Sequence, residues 1–142
     1  MAVTAQQVID EARKWLGIKY ANQGRTERGL DCGGLLLVVG RALGLTELEH
    51  LGYAASPDGE TFQRLLDENC IPVKPYNKPR IGDLLAHDYK SGIQHTSLVT
   101  ALEPRLTVIH AKKPAGVVEQ YLHGYELRGW VQTYRIKGLA DK

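Results

Sequence analysis

The chain has 142 residues, of which 43% are hydrophobic, so it is long enough for an apolar core that needs neither disulfide bonds nor a structural metal. A formal net charge of only +2 gives no indication of nucleic-acid binding, and we expect none. Its two cysteines form no recognisable disulfide framework, and no apolar run is long enough to span a membrane.

The first predicted element is an amphipathic helix over about residues 4–16. Thr4 and Gln7 form a capping-box pattern, and apolar residues then recur at helical spacing up to Gly17. A glycine-broken polar loop over residues 17–29 follows. This loop carries the chain to the segment with the strongest chemical signal.

That segment is a predicted buried helix that begins after Asp31. An apolar run starts at Leu35, and Gly44 follows the last apolar residue, so both ends carry helix signals. Cys32 then lies in the first turn, where unpaired N–H groups and the helix dipole lower a cysteine pKa and favour the thiolate. The same position suits a small buried hydrophobe that opens a core helix. The segment alone does not decide between these two interpretations.

The chain after this helix is predicted to be irregular over residues 46–59, which include a turn signal at their end. A third helix is predicted over residues 60–69, and Cys70 after it is interpreted as a packing residue. Prolines at positions 72, 75 and 79 argue against regular structure before residue 81.

The rest of the chain alternates between turns and strand-like runs. The predicted strands cover residues 84–87, 95–102, 106–110, 116–122 and 130–136. Helices come first and strands follow, with links too short for helical crossovers. We therefore predict an α+β fold with a mostly antiparallel sheet of about five strands. No linker or repeat interrupts it, so residues 1–142 are predicted to form one domain.

Two histidines stand near matching ends of two successive predicted strands. If the strands are adjacent and antiparallel, His95 and His110 approach each other on one face, where a cysteine at a helix N-terminus can meet them. Such a trio supplies the nucleophile, base and orienting group of thiol acyl transfer. A satisfied core or surface histidine and a partial zinc site are the alternatives, although zinc sites usually contain close ligand pairs. The remaining histidines are predicted to lie at the surface: His50, His87 and His123.

Five short segments occur in the order and with gaps similar to those of a known family. They are Trp-Leu-Gly-Ile-Lys-Tyr at 15–20, Asp-Cys-Gly-Gly at 31–34, Ile-Gly-Asp-Leu at 81–84, Gln-His-Thr-Ser-Leu-Val at 94–99 and Val-Ile-His-Ala at 108–111. In these segments the chain resembles the NlpC/P60 cysteine peptidases, bacterial and phage enzymes that cut peptidoglycan stem peptides. The resemblance implies a papain-like fold and a hydrolase that needs no cofactor or metal.

The resemblance also implies roles for individual residues. Cys32 corresponds to the nucleophile, His95 to the general base and His110 to the polar residue that orients the base. The Tyr20 hydroxyl is expected to help bind the oxyanion beside the backbone N–H of Cys32.

Two further positions of the motif bear on the substrate. Asp31 is expected to shape the cleft or brace the loop, and a purely structural role as helix cap is at least as well supported. Gly33 stands where the family more commonly has serine. It removes a hydroxyl that can recognise the amino end of the substrate, so the peptide specificity of other members is not carried over.

The expected function is that of a cysteine endopeptidase acting on peptidoglycan stem peptides, at the amide between γ-D-glutamate and the diamino acid. The chain shows no signal-peptide pattern and resembles the short members encoded with phage tail genes. The resemblance thus implies tail-tip partner proteins and a location in the virion tail, with the cytoplasm as the alternative. Other open alternatives are an amidase or acyltransferase of the same fold, and a non-catalytic tail-tip or wall-binding module.

Overall fold

A computed structural model describes residues 2–52, 59–89 and 92–140. The helices are α1 (Ala5–Arg13), α2 (Cys32–Leu43), α3 (Thr46–Leu51) and α4 (Gly59–Asn69). The strands are β1 (Val3–Thr4), β2 (Arg25–Thr26), β3 (Gly29–Leu30), β4 (Cys70–Pro72), β5 (Leu84–Asp88), β6 (Ile93–Leu102), β7 (Arg105–Lys112), β8 (Gly116–Tyr121), β9 (Trp130–Ile136) and β10 (Leu139–Ala140). A single 3₁₀ turn in the described ranges covers Gly124–Leu127.

The main sheet has six strands in the order β4-β9-β5-β6-β7-β8, and all its neighbouring pairs are antiparallel. The five predicted strands correspond to β5–β9, so the predicted α+β class is confirmed. The sixth strand, β4, falls where prolines argued against regular structure. It is an edge strand, and an edge tolerates Pro72 because a proline there need not donate a ladder hydrogen bond.

The two predicted helix ends around α2 are confirmed. Asp31 caps its start, and Gly44 ends it in the left-handed conformation at φ 66°. The capping box of α1 is also present, because Thr4 Oγ1 accepts from Gln7 N at 3.1 Å and Gln7 Oε1 accepts from Thr4 N at 2.9 Å. Helix α1 ends at Arg13, earlier than predicted.

The prediction of irregular structure after Gly44 is wrong for its first part, where α3 forms. Leu48 and Leu51 are fully buried against the core, and α3 packs on α2. Tertiary packing therefore stabilises a helix too short to be evident from its own pattern. The rest of that segment, residues 53–58 with most of its turn signal, lies outside the described residues.

The sheet has two different faces because side chains alternate along each strand. Leu98 of β6 and Ile109 of β7 belong to the core that the helices cover. Leu85, Val99 and Val108 form a smaller buried cluster on the opposite face. Within the described ranges, no helix has the length and apolar character needed to cross a membrane.

Candidate active site

The start of α2 is held by Asp31, which binds both the helix and the preceding loop. Its Oδ1 accepts from Gly34 N at 2.7 Å and from Arg25 Nη1 at 3.0 Å, and its Oδ2 accepts from Gln23 N at 2.7 Å. These contacts are the cap and loop brace considered for Asp31 from the sequence. They fix where the first residue of the helix, Cys32, stands.

The second glycine of the Asp-Cys-Gly-Gly motif has a steric reason. A Cβ at Gly34 would lie 1.9 Å from the carbonyl oxygen of Gly24, so only glycine lets the loop pack against the helix start. Gly33 is buried in the same first turn, and its backbone N–H lowers the pKa of Cys32.

The Cys32 side chain points inward in this structure. It is 8% exposed, and its thiol donates to the backbone carbonyl oxygen of Gln94 at 3.9 Å. It also lines a cavity of about 10 Å³ between the helices and the sheet, together with Thr96. The Thr96 hydroxyl is buried, and no residue in the described part of the chain is its hydrogen-bond partner.

Burial raises the pKa of the Cys32 thiol to about 11. The backbone N–H groups of Thr96, Gly33 and Cys32 itself oppose this shift, whereas the negative charge of Asp31 adds to it. The prediction that the helix N-terminus lowers this pKa is therefore wrong for the inward-pointing thiol. The N–H groups do favour the thiolate, but the loss of solvation in the apolar core outweighs them.

His95 and His110 are brought together as predicted. Strands β6 and β7 are adjacent and antiparallel, and His95 Nε2 lies 2.8 Å from His110 Nδ1. Burial lowers the pKa of His95 well below its usual value, and the neighbouring His110 and His87 lower it further. His95 is therefore neutral at neutral pH, which is the form that accepts a proton.

His87 was predicted to lie at the surface, and that prediction is wrong. It is 2% exposed and stands directly opposite His95 in the β5–β6 pairing. The missed signal was the short link between two predicted strands, because a hairpin places His87 beside His95. By contrast, the other two histidines predicted to be exposed are so: His50 and His123.

The His87 ring has a partner on each side. Its Nδ1 lies 3.0 Å from the backbone carbonyl oxygen of Arg128, and its Nε2 lies 3.1 Å from Ser97 Oγ. Burial lowers the pKa of His87, and the nearby His110 lowers it further. The contact with the Arg128 carbonyl raises this pKa, but by less than burial lowers it. A buried neutral histidine therefore stands beside the His95–His110 pair.

An open cleft of about 280 Å³ lies over these histidines. It is lined by Tyr20, His87, Tyr89, His95, His110, Ala111, Lys112, Lys113 and Arg128. Three of these residues are basic, and no acidic residue in the described ranges belongs to the lining. The cleft therefore presents positive charge to a ligand.

Tyr20 is one wall of this cleft. It forms a β-bridge with Leu30, and Lys113 Nζ lies 5.4 Å from the centre of its ring. Burial raises the pKa of Tyr20, and the nearby groups Asp31 and Cys32 raise it further. Tyr20 therefore retains its hydroxyl hydrogen and can donate it.

The predicted site residues thus form two groups. Tyr20, His95 and His110 share the cleft, whereas Asp31, Cys32 and Gly33 stand at the start of α2. Cys32 is not a lining residue in the described part of the cleft, and its thiol has no hydrogen bond to His95 there. The thiol approaches β6 from the helical face, while His95 lies on the same face of that strand as Val99.

The described residues contain no group of three or more His, Cys, Asp or Glu side chains arranged to hold a metal ion. Both cysteines are free. Cys70 is 2% exposed in the core, in agreement with its interpretation as a packing residue.

The sequence matches no family model and no curated protein. The fold, however, is similar to solved structures, and two of them belong to the NlpC/P60 family. One is the NlpC/p60 domain of the peptidoglycan hydrolase SagA, with a TM-score of 0.63 and 23% identity, covering 94% of this chain and 100% of that one. The other is an NlpC/P60 family protein from Bacillus cereus ATCC 10987, with a TM-score of 0.69 and 19% identity. That alignment covers 96% of this chain and 41% of the other. The chain therefore has the papain-like NlpC/P60 fold.

Proposed function

We propose that this protein is a cysteine hydrolase that cuts amide bonds in peptidoglycan stem peptides. The observation that carries the proposal is the hydrogen-bonded pair of His95 and His110 beneath a cleft. Beside this pair, Cys32 at the start of α2 donates a hydrogen bond to the carbonyl of Gln94, the residue just before His95. The fold it shares with the NlpC/p60 domain of a peptidoglycan hydrolase supports the same conclusion.

In the proposed reaction, the Cys32 side chain first turns from the Gln94 carbonyl towards the cleft. We propose that a change of the Cys32 rotamer carries the sulfur from the helical side of β6 towards His95. His95 then takes the thiol proton as the sulfur attacks the amide carbonyl, and it returns that proton to the leaving amine. Water activated by His95 hydrolyses the acyl-enzyme. The Tyr20 hydroxyl and the N–H of Cys32 are proposed to bind the oxyanion.

We propose that the bond cut joins γ-D-glutamate to the diamino acid. In a γ-linked glutamate the α-carboxylate is free, so the peptide next to this bond is anionic. Lys112, Lys113 and Arg128 give the cleft the opposite charge, which suits such a peptide. The proposed setting is a phage tail tip with tail proteins as partners, and its support is the sequence resemblance to tail-associated members.

A non-catalytic wall-binding module is the second candidate. The observation in its favour is the buried Cys32 thiol, because an inaccessible thiol cannot attack a substrate. The motif residues would then be structural, and the cleft would bind stem peptides without cutting them.

One digestion experiment separates these functions. Purified peptidoglycan is incubated with the parent protein, with Cys32→Ala and with Cys70→Ala as the matched control, and the fragments are identified by mass. We expect the parent and the Cys70→Ala control to release fragments cut after γ-D-glutamate, and Cys32→Ala to release none. Release of free stem peptides would indicate an amidase instead. Sedimentation with the wall but no release by any variant would favour the binding module.

A further inference from the structure

His110 has a hydrogen-bonding neighbour on each ring nitrogen. Its Nδ1 lies 2.8 Å from His95 Nε2, and its Nε2 lies 2.9 Å from Oε1 of Gln120 on strand β8. The other nitrogen of His95, Nδ1, has no hydrogen bond to any residue that the structure describes. Gln120, His110 and His95 therefore form a hydrogen-bonded series that ends at one free imidazole nitrogen.

The chemistry of these groups determines which atom donates and which accepts at each hydrogen bond of the series. A neutral imidazole carries a hydrogen on one nitrogen and a lone pair on the other, and an amide oxygen only accepts. Gln120 Oε1 therefore requires the hydrogen of His110 on Nε2. His110 Nδ1 then accepts from the Nε2–H of His95, and the lone pair of His95 is left on Nδ1.

We propose that Gln120 is a positioning residue that selects the tautomer of His95. This inference rests on the proposed function, in which His95 Nδ1 takes the thiol proton. Gln120 acts through His110; it is neither among the described lining residues of the cleft nor a hydrogen-bond partner of the Cys32 thiol. If its amide were turned round, its NH₂ group would donate to His110 Nε2. Donor and acceptor would then be exchanged at both hydrogen bonds of the series. His95 Nδ1 would carry a hydrogen and could not act as base.

The neighbouring pair of His87 and Ser97 is compatible with this assignment of donors and acceptors. The Arg128 carbonyl only accepts, so His87 carries its hydrogen on Nδ1, and the neutral ring accepts at Nε2 from the Ser97 hydroxyl. The single hydroxyl hydrogen of Ser97 is then used. Its oxygen lies 3.4 Å from His110 Nδ1, longer than the 2.8 Å contact of that nitrogen with His95. The shorter contact is the one to which the scheme assigns a hydrogen.

Three substitutions at Gln120 test which atoms donate and which accept in this hydrogen-bonded series. Gln120→Glu keeps an acceptor and no donor at alkaline pH, Gln120→Met offers neither, and Gln120→Lys offers only a donor. The matched control is Gln132→Lys, on strand β9, where the glutamine side-chain oxygen accepts from the neighbouring Thr133 N–H and has no other hydrogen-bond partner among the described residues. Circular dichroism melting of each variant checks that it is folded.

Two readouts are made at pH 8.5. Long-range ¹H–¹⁵N correlation spectra of ¹⁵N-histidine-labelled protein show which nitrogen of His95 carries the hydrogen, with assignment from a His95→Gln sample. Peptidoglycan release gives kcat and KM. We expect the Nε2–H tautomer in the parent, in Gln120→Glu and in Gln132→Lys, and the Nδ1–H tautomer in Gln120→Lys. Since a general base contributes about 10²–10⁴-fold, kcat should fall by at least about 10²-fold in Gln120→Lys while KM changes little. Gln120→Met should lie between these extremes.

The tautomer measurement separates this inference from the proposed function. A parent protein with the Nε2–H tautomer and no hydrolysis would sink the proposed function and leave the role of Gln120 standing. A folded Gln120→Lys that retains the parent tautomer would overturn the role of Gln120, whatever the activity. An Nδ1–H tautomer in the parent would overturn it equally.

Discussion

The inward position of Cys32 makes a quantitative prediction about its reactivity. Alkylating reagents attack the thiolate, and the pKa of about 11 replaces an ordinary value of 9.0. At pH 7 the thiolate fraction then falls from about 10⁻² to about 10⁻⁴, which corresponds to about 3 kcal/mol against ionisation. We expect iodoacetamide to modify Cys32 at least about 100-fold more slowly than an ordinary thiol.

The assay follows modification by intact-protein mass in a Cys70→Ala background, so that Cys32 is the single thiol. The rate should rise tenfold per pH unit from pH 7 to pH 10, because each unit multiplies the thiolate fraction tenfold below the pKa. The same protein unfolded in urea supplies the reference rate of an exposed thiol. Fast modification that is independent of pH below 8 would show a preformed ion pair with His95, and the reasoning from burial would then be refuted.

Three predictions concern stability, measured as the free energy of unfolding in urea. Glu119→Gln should cost roughly 1.5–3 kcal/mol at pH 7, because the carboxylate binds Arg13 Nε and Nη2 at 3.1 and 2.8 Å. Burial raises the pKa of Glu119, but Arg13 and Thr100 lower it more, so this difference should persist above about pH 4.5 and shrink below it. An equal difference at pH 3 and pH 7 would argue against the ion pair. Thr96→Val should stabilise the protein by about 1–3 kcal/mol, because it removes a buried hydroxyl that has no hydrogen-bond partner among the described residues. A loss of stability would mean that this hydroxyl is hydrogen-bonded in solution. Asp31→Ala should cost about 1–2 kcal/mol. Asp31→Asn should cost less, because the asparagine side chain keeps an acceptor for Gly34 N. Equal losses in the two variants would show that the cap contributes little.

The features predicted correctly from the sequence depend on residues close together in the chain. Asp31 and Gly44 mark the ends of α2 through their own backbone preferences. The approach of His95 to His110 follows from one tight hairpin between β6 and β7. His87 was within reach of the same argument, since β5 and β6 also form a hairpin. A single histidine in a strand gives no sign of the neighbouring strand that buries it, and only the pairing of His87 with His95 reveals its position.

The features that were missed depend on distant parts of the chain. The contact of Gln120 with His110 requires the register of β7 with β8, and a glutamine in a strand carries no pattern that reveals it. The pKa of Cys32 depends on desolvation by α1 and the sheet, which the helix start cannot disclose. Local sequence identified the candidate nucleophile, whereas its state is determined by packing.

The raised pKa of Cys32 and the lowered pKa of His95 act in the same direction, because each favours the neutral form. A thiolate and imidazolium formed before substrate binds would oppose both shifts. While Cys32 points inward, it therefore forms no ion pair with His95; we propose that, once the thiol has turned towards the cleft, its proton leaves as the sulfur attacks a carbonyl, since the developing oxyanion then carries the negative charge. Tyr20 and the start of α2 provide donors for that charge, and the basic cleft favours it further. Under this mechanism the reactivity of Cys32 depends on a bound amide, so substrate should accelerate loss of the thiol proton in a way that a small alkylating reagent cannot.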